Sequence, residues 1–210
     1  MKVFDVFGLG QCSLDYIGRL GAYPPPGVKA EFSDLTVQGG GPVATALVAL
    51  SRWGLRCAFS GVVGDDAFGR LILKFLKEEG IHTGGVAVRR GGSSQFAFIA
   101  AESPGGRRTV FWQRPSGASL ARGEVDLAVL GKAKVFHTDG LFIDATLHAA
   151  KKARAAGIPV VVDGGTLREG MLDLARLSDY FIASESFGQG LAGGDDPAGA
   201  CRRIRELGPR

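Results

Sequence analysis

Four junctions in the chain bring together residue types that could do chemistry. The first is Gly8-Leu9-Gly10-Gln11-Cys12-Ser13, followed by Asp15. It half matches the Gly-x-Gly-x-x-Gly turn of dinucleotide-binding folds, but Ser13 replaces the third glycine, and Pro24, Pro25 and Pro26 lie in the stretch where a pyrophosphate-binding helix should run. Three readings stay open: a nucleotide turn, a tight strand exit, or a substrate site. In the last, the Asp15 carboxylate accepts hydrogen bonds from sugar hydroxyls at the edge where α/β sheets place ligands.

The second junction is Gly39-Gly40-Gly41-Pro42, which opens a helical pattern containing Thr45. Its glycines let the backbone approach a ligand, and the first free N–H groups of the helix can donate to it. No Gly-Lys-Ser/Thr follows, so it is not a P-loop, and a packing turn is the alternative. In the third, Gly64-Asp65-Asp66-Ala67-Phe68-Gly69, either aspartate can cap a helix starting near Ala67, and capping is favoured over catalysis. The fourth ends an apolar run with Asp163, followed by Gly164, Gly165 and Arg168. Asp163 can hold a Mg²⁺ shell, orient a phosphate-binding group or cap a helix.

The elements that must position these groups alternate in type. Extended patterns are expected at 3–9, 57–63, 86–88, 133–137, 159–162 and 180–183, and helical ones at 43–53, 68–78, 145–155, 167–176 and 198–207. Strands apolar on both faces and separated by helices imply parallel βαβ crossovers, hence an α/β fold with a mostly parallel sheet covered on both sides. Two segments, 11–37 and 93–114, break the rhythm with extended patterns and no helix. The second reads as a hairpin, 94–101 with 107–113, around Pro104, Gly105 and Gly106. Both are read as insertions into one domain of 1–210, pairing into a small β layer that acts as a lid.

A net charge of +4 from 25 basic and 21 acidic residues spread through the chain argues against a nucleic-acid partner. Arg202, Arg203 and Arg205 read as a solvated helix face. Cys12, Cys57 and Cys201 are odd in number, with no ligand spacing, which suggests a reduced, cytoplasmic setting. No apolar stretch is long enough to span a membrane.

Taken in series, Asp15 after its glycine exit, GGPVATALVALSRWG at 40–54, GDDAFGRLILKFLKEEGI at 64–81 and VVVD followed by Arg168 resemble the ribokinase-like (PfkB) carbohydrate kinases. That resemblance implies a three-layer α/β/α fold with a β-sheet lid, and transfer of the ATP γ-phosphoryl group to a hydroxyl of a sugar or nucleoside, with Mg²⁺. It implies an acceptor site of Asp15, Gly40, Gly41 and Thr45, covered by the lid through Gln95 and Phe111, and a phosphate and metal region of Asp163, Arg168, Ser184 and Glu185, with no direct metal ligand assigned. A homodimer through the lid is expected from the apolar Phe96, Phe98, Val110 and Trp112.

The chain departs from the family in three ways. Thr45 stands where an asparagine is usual, and Ser184 and Phe187 stand at the ends of the Asn-x-x-Glu motif, with Glu185 as a substitute acid. No Gly-Ala-Gly-Asp run supplies the anion hole and base, and Gly193-Gly194-Asp195-Asp196 before Pro197 reads as a helix cap. The C-terminal part of the fold and the general base are therefore expected beyond Arg210, and the chain alone is expected to be inactive. The alternatives are a non-catalytic sugar-binding or regulatory module, and an oxidoreductase resting on the partial glycine turn alone.

Overall fold

The computed structural model describes residues 2–103 and 105–210, which leaves Pro104 of the expected hairpin turn outside the described residues. Six strands form a parallel sheet: β1 (Phe4–Leu9), β4 (Cys57–Gly64), β5 (His82–Arg89), β8 (Ala133–Thr138), β9 (Val160–Gly164) and β10 (Tyr180–Ala183), in the order β10-β9-β8-β1-β4-β5. The crossovers carry α1 (Pro42–Arg52), α2 (Ala67–Glu78), α3 (Leu127–Gly131), α4 (Ile143–Ala155) and α5 (Met171–Leu177), and the chain closes with α6 (Glu185–Ala192) and α7 (Pro197–Glu206).

Alternation along β1 divides the core between two faces. Val6 packs with Val43 and Leu47 of α1 and Ile72 and Leu76 of α2. Phe7 and Leu9 face the opposite layer, where Ala145, Ala149 and Ala153 of α4 and Leu174 of α5 cover the sheet. A sheet buried on both faces needs apolar side chains at nearly every position, as β4 shows by being buried along its whole length.

The two interrupting segments build a second sheet of mixed direction. It contains β2 (Ser13–Leu20), β3 (Asp34–Gly40), β6 (Phe96–Glu102) and β7 (Arg108–Gln113), in the order β3-β2-β6-β7. β2 runs parallel to β6 and antiparallel to β3, while β6 and β7 are antiparallel. The turn entering α2 and the one entering β6 are held by one carboxylate. Asp66 caps α2 by accepting from the Gly69 N–H (2.7 Å) and also accepts from the Ser94 N–H (2.8 Å) and Oγ–H (2.7 Å). Burial pushes Asp66 up, but these bonds outweigh it and hold its carboxyl below the ordinary carboxylate range. Asp66 thus joins the parallel sheet to the root of the second one, a task beyond the cap expected of it.

Several boundaries differ from the sequence reading. β5 spans eight residues, where only 86–88 reads as extended, because His82 to Gly85 alternate too little to signal a strand. The helix expected over 167–176 starts only at Met171, behind a left-handed Gly170, and the preceding loop turns Arg168 inward. α3 and α6 were not expected; both are short, and each is opened by a capping side chain, Asp126 and Ser184 respectively.

Candidate functional site

Because every strand of the large sheet is parallel, their C-terminal ends share one edge, and Asp15, Asp139, Asp163 and Ser184 all follow or end strands there or just beyond it. β1 and β8 are neighbours whose chains leave in different directions, which opens the crevice where such folds bind ligands.

Asp15 lies on β2, in register with Gln38 of β3 and Ala97 of β6. Its carboxylate accepts from the Ser13 hydroxyl (2.7 Å) and is half-buried; burial pushes its pKa up, partly offset by that bond. The place beside it exists only because residue 40 is glycine, since a Cβ there would come 2.0 Å from Asp15 Oδ2. Gly41 serves another purpose. With φ 94° it turns the chain into α1 at a conformation that L side chains rarely adopt, and its missing Cβ lets the Gln11 carbonyl pass. That carbonyl accepts from the Ala44 N–H in the first turn of α1 (3.3 Å). Asp15, Gly40 and Gly41 therefore share one small region.

Thr45 is exposed on α1 and borders a cavity of about 290 Å³ between β3, α1 and α2, together with Ser13 and Gly40. Gln95 is buried just before β6, where its carbonyl accepts from the Leu14 N–H (3.1 Å). Phe111 is not brought to Asp15. It is in register with Phe98, whereas Asp15 is in register with Ala97 and, through it, with Trp112. Side chains in register share a face and successive residues alternate, so Phe111 lies on the far face and Trp112 on that of Asp15. The same alternation divides the apolar residues of this sheet, with Phe96 and Phe98 on one face and Val110 and Trp112 on the other.

Asp139, which the sequence reading passed over, is the most constrained acid of the edge. It is 5% exposed, and its carboxylate accepts from the Gln11 N–H (2.8 Å) and the Leu141 N–H (2.9 Å). Burial raises its pKa against those two bonds and the nearby Arg168 and His137. Its backbone carbonyl accepts from Arg168 Nη2 (2.9 Å), and Arg168 Nε is buried without a partner among the described residues. Asp139 thus links the Asp15 side of the crevice to the Arg168 side. The signal for it was in the sequence: it follows the extended pattern of 133–137 and directly follows its strand β8, as a carboxylate at a strand's C-terminal end.

Asp163 is part of β9, in register with Ile182, and caps no helix; the next helix begins at Met171 with Gly170 as its cap. Ser184 accepts from the Phe187 N–H (3.1 Å) as the cap of α6 and donates to the Gly165 carbonyl (2.8 Å). Glu185 is exposed and accepts from Gln189 (3.2 Å). Phe187 is fully buried, its ring 5.1 Å from that of Phe181, so it belongs to the core. Asp196 accepts from the Gly199 N–H (2.8 Å) ahead of Pro197, the cap expected of that look-alike. Among the described residues no cluster of three His, Cys, Asp or Glu could hold a metal ion by itself, and no helix is long and apolar enough to cross a membrane.

Comparison with known proteins gives one consistent answer. The family model described as pfkB family carbohydrate kinase matches residues 4–208. "Probable fructokinase-7" of Arabidopsis thaliana is 29% identical over 206 residues, covering 90% of this chain and 59% of that protein. The chain spans about half the length of the curated relatives it matches. Among solved structures, Arabidopsis thaliana ribokinase complexed with ribose and ATP aligns with a TM-score of 0.77 at 19% identity, covering 100% of this chain and 70% of that one. An E. coli Ribokinase II in complex with ATP and Mg²⁺ aligns with a TM-score of 0.79 at 20% identity, covering 99% and 71%. At such identities the likeness is one of fold.

Proposed function

Because the chain belongs to the pfkB family of carbohydrate kinases, we propose that it forms the acceptor-binding part of an ATP-dependent sugar kinase, with the second sheet as a lid over a sugar or nucleoside. The observation that carries this is the half-buried Asp15 carboxylate, one side chain away from the glycine backbone of Gly40 and under the β2-β6-β7 face. A carboxylate only accepts, so it selects ligands with hydroxyl donors, and glycine at residue 40 leaves room for the carboxylate itself. The fold neighbours with ribose and ATP, and with ATP and Mg²⁺, support the same reading.

The residues on the other side of the crevice suit a phosphate. Arg168 is held by one N–H to the Asp139 carbonyl and keeps its buried Nε free among the described residues, so the guanidinium is oriented and can donate to phosphate oxygens. Asp163, Ser184 and Glu185 would flank it, reaching Mg²⁺ through its water shell rather than as direct ligands. ATP, when bound, supplies the phosphoryl group to be transferred. Positioning and charge stabilisation carry most of that reaction, and no Gly-Ala-Gly-Asp run occurs in the 210 residues. This chain by itself is therefore expected to bind sugar without turning it over.

Calorimetric titration with fructose and ribose tests the reading. Asp15→Asn should weaken sugar binding about 10–100-fold, the worth of one or two charge-assisted hydrogen bonds. Wild-type affinity should fall as pH drops through the raised pKa of Asp15, because the protonated acid loses acceptor strength. Sugar affinity unaffected by Asp15→Asn would remove the acceptor site from Asp15. A homodimer through the far face of the second sheet, where Leu35 and Phe111 are exposed, belongs to the same proposal; a monomer mass at high concentration would exclude it.

A further inference from the structure

We propose that Asp66 is a positioning residue for the acceptor: acting through Ser94, it fixes the β6-β7 half of the second sheet to the parallel sheet and leaves β3 as the side that adjusts to a ligand beside Asp15. This rests on the acceptor-site reading above. Ser94 is 3% exposed and donates both its N–H (2.8 Å) and its Oγ–H (2.7 Å) to the Asp66 carboxylate. Its Oγ also accepts from the Gly64 N–H (2.9 Å) at the end of β4, while Asp66 accepts from the Gly69 N–H in the first turn of α2. The backbones meet closely around this node. A Cβ at Gly64 would strike the Gly92 carbonyl, and one at Gly69 would strike the Gly64 carbonyl.

The hold extends across the hairpin. Asp65 accepts from the Gly91 N–H (2.9 Å). The Ser93 N–H donates to Ser116 Oγ (2.8 Å) and the Ser116 N–H to the Ser93 carbonyl (3.0 Å), which ties the segment entering β6 to the one leaving β7. Arg89, at the end of β5, then donates to the Ala118 (2.8 Å) and Ser119 (2.9 Å) carbonyls and pairs with Glu124. On the α2 side, the Phe68 ring lies 5.5 Å from that of Phe96 and 6.1 Å from that of Tyr16. The first turn of α2 therefore grips the sheet twice, by a carboxylate at its root and by a ring under β2 and β6. Hydrogen bonds fix direction and ring contacts do so less, so a sheet held this way can tilt about Ser94 without lifting from it.

The β3 side lacks such a hold. β3 is the edge strand, paired only with β2 and exposed from Asp34 to Gly39. A Cβ at Gly39 would reach Phe75 of α2 only at 3.8 Å, an ordinary contact. The cavity of about 290 Å³ lies there, with Val37 and Gly39 on one wall and Val48 and Phe75 on the other. β3 can shift across this space without displacing a packed side chain, and Gly40 at its end carries any shift to the Asp15 carboxylate. One root of the sheet is thus anchored and the opposite edge has clearance.

Backbone hydrogen exchange of the whole chain, with and without D-fructose, tests the asymmetry. Fructose should slow the amides of 35–40 about tenfold and leave those of Gly64 and Ser94 unchanged, because the node is already formed without ligand. Ser94→Ala removes the hydroxyl that joins Asp66 to Gly64. It should raise exchange in β6 toward the level of β3 and weaken fructose binding about fivefold, as expected if only about a fifth of the molecules keep the sheet in place. Asp66→Asn retains an acceptor for the Gly69 cap but turns an NH₂ toward the Ser94 N–H, so it should act alike without unravelling α2. Two results overturn the proposal while leaving Asp15 as the acceptor site. In one, both variants lower Tm but keep wild-type fructose affinity and exchange pattern, which makes Asp66 a structural cap only. In the other, fructose protects β3 and β6 equally, so that the sheet moves as one body. If fructose does not bind the wild-type chain, the proposal and the acceptor reading fall together.

Discussion

Gly41→Ala is expected to cost about 3 kcal/mol or more of folding stability, because it combines a strained left-handed backbone with a backbone clash. The added Cβ would meet the Gln11 carbonyl oxygen at 2.6 Å and the Cys12 Cα at 2.7 Å, neither of which can turn aside. In a domain of this size that lowers Tm by about 6–12 °C, readable in a thermal melt. Gly40→Ala should behave differently. The atoms its Cβ comes nearest are those of the Asp15 carboxylate, a short side chain that can rotate at the expense of its bond from Ser13. A loss of about 1 kcal/mol of stability is expected there, with sugar binding weakened about as much as by Asp15→Asn. Neighbouring glycines would thus fail in different assays. If Gly41→Ala melts like wild type, the turn into α1 is not what holds the Gln11 carbonyl; if Gly40→Ala binds sugar normally, the acceptor does not lie against Asp15.

The contrast also shows what a sequence can reveal. Three successive glycines before a helical pattern announce close approach, but not that Gly40 makes room for a carboxylate while Gly41 supplies a backbone conformation. The parallel sheet was legible because a strand buried on both faces, such as β4, needs an unbroken apolar run. The placement of Phe111 was not legible. A slip of one residue in register reverses which side chains face the ligand, and nothing in Phe111-Trp112-Gln113 shows which residue lies opposite Ala97. Asp163 was hard for a related reason: a carboxylate ending a strand looks the same whether a helix follows at once or, as here, only at Met171.

Asp139 ties the Gln11 turn to the Arg168 loop, and its substitution carries the second large expectation. Asp139→Ala leaves the Gln11 and Leu141 N–H groups without an acceptor in a buried place, at a cost of roughly 2–6 kcal/mol. Asp139→Asn keeps one acceptor and removes the charge, so the two variants separate hydrogen bonding from ionisation. The pH dependence then has a definite sign. Burial raises the native pKa of Asp139 above its ordinary 3.8, so between those values the native state holds a proton that the unfolded chain has released. Stability from this group is therefore greatest at low pH and declines as pH rises through the window. Asparagine has no such dependence, and other carboxylates cancel when the two proteins are compared. The urea-unfolding advantage of wild type over Asp139→Asn should widen as pH falls from 7 toward 4. Arg168 and His137 lie close enough to favour the ionised form, and a gap that narrows on acidification would mean that they, with the two N–H donors, outweigh burial. In that case Asp139 is a fixed anion holding Arg168 in place through charge as well as through its carbonyl, and Asp139→Asn should weaken phosphate binding even where it leaves the fold intact.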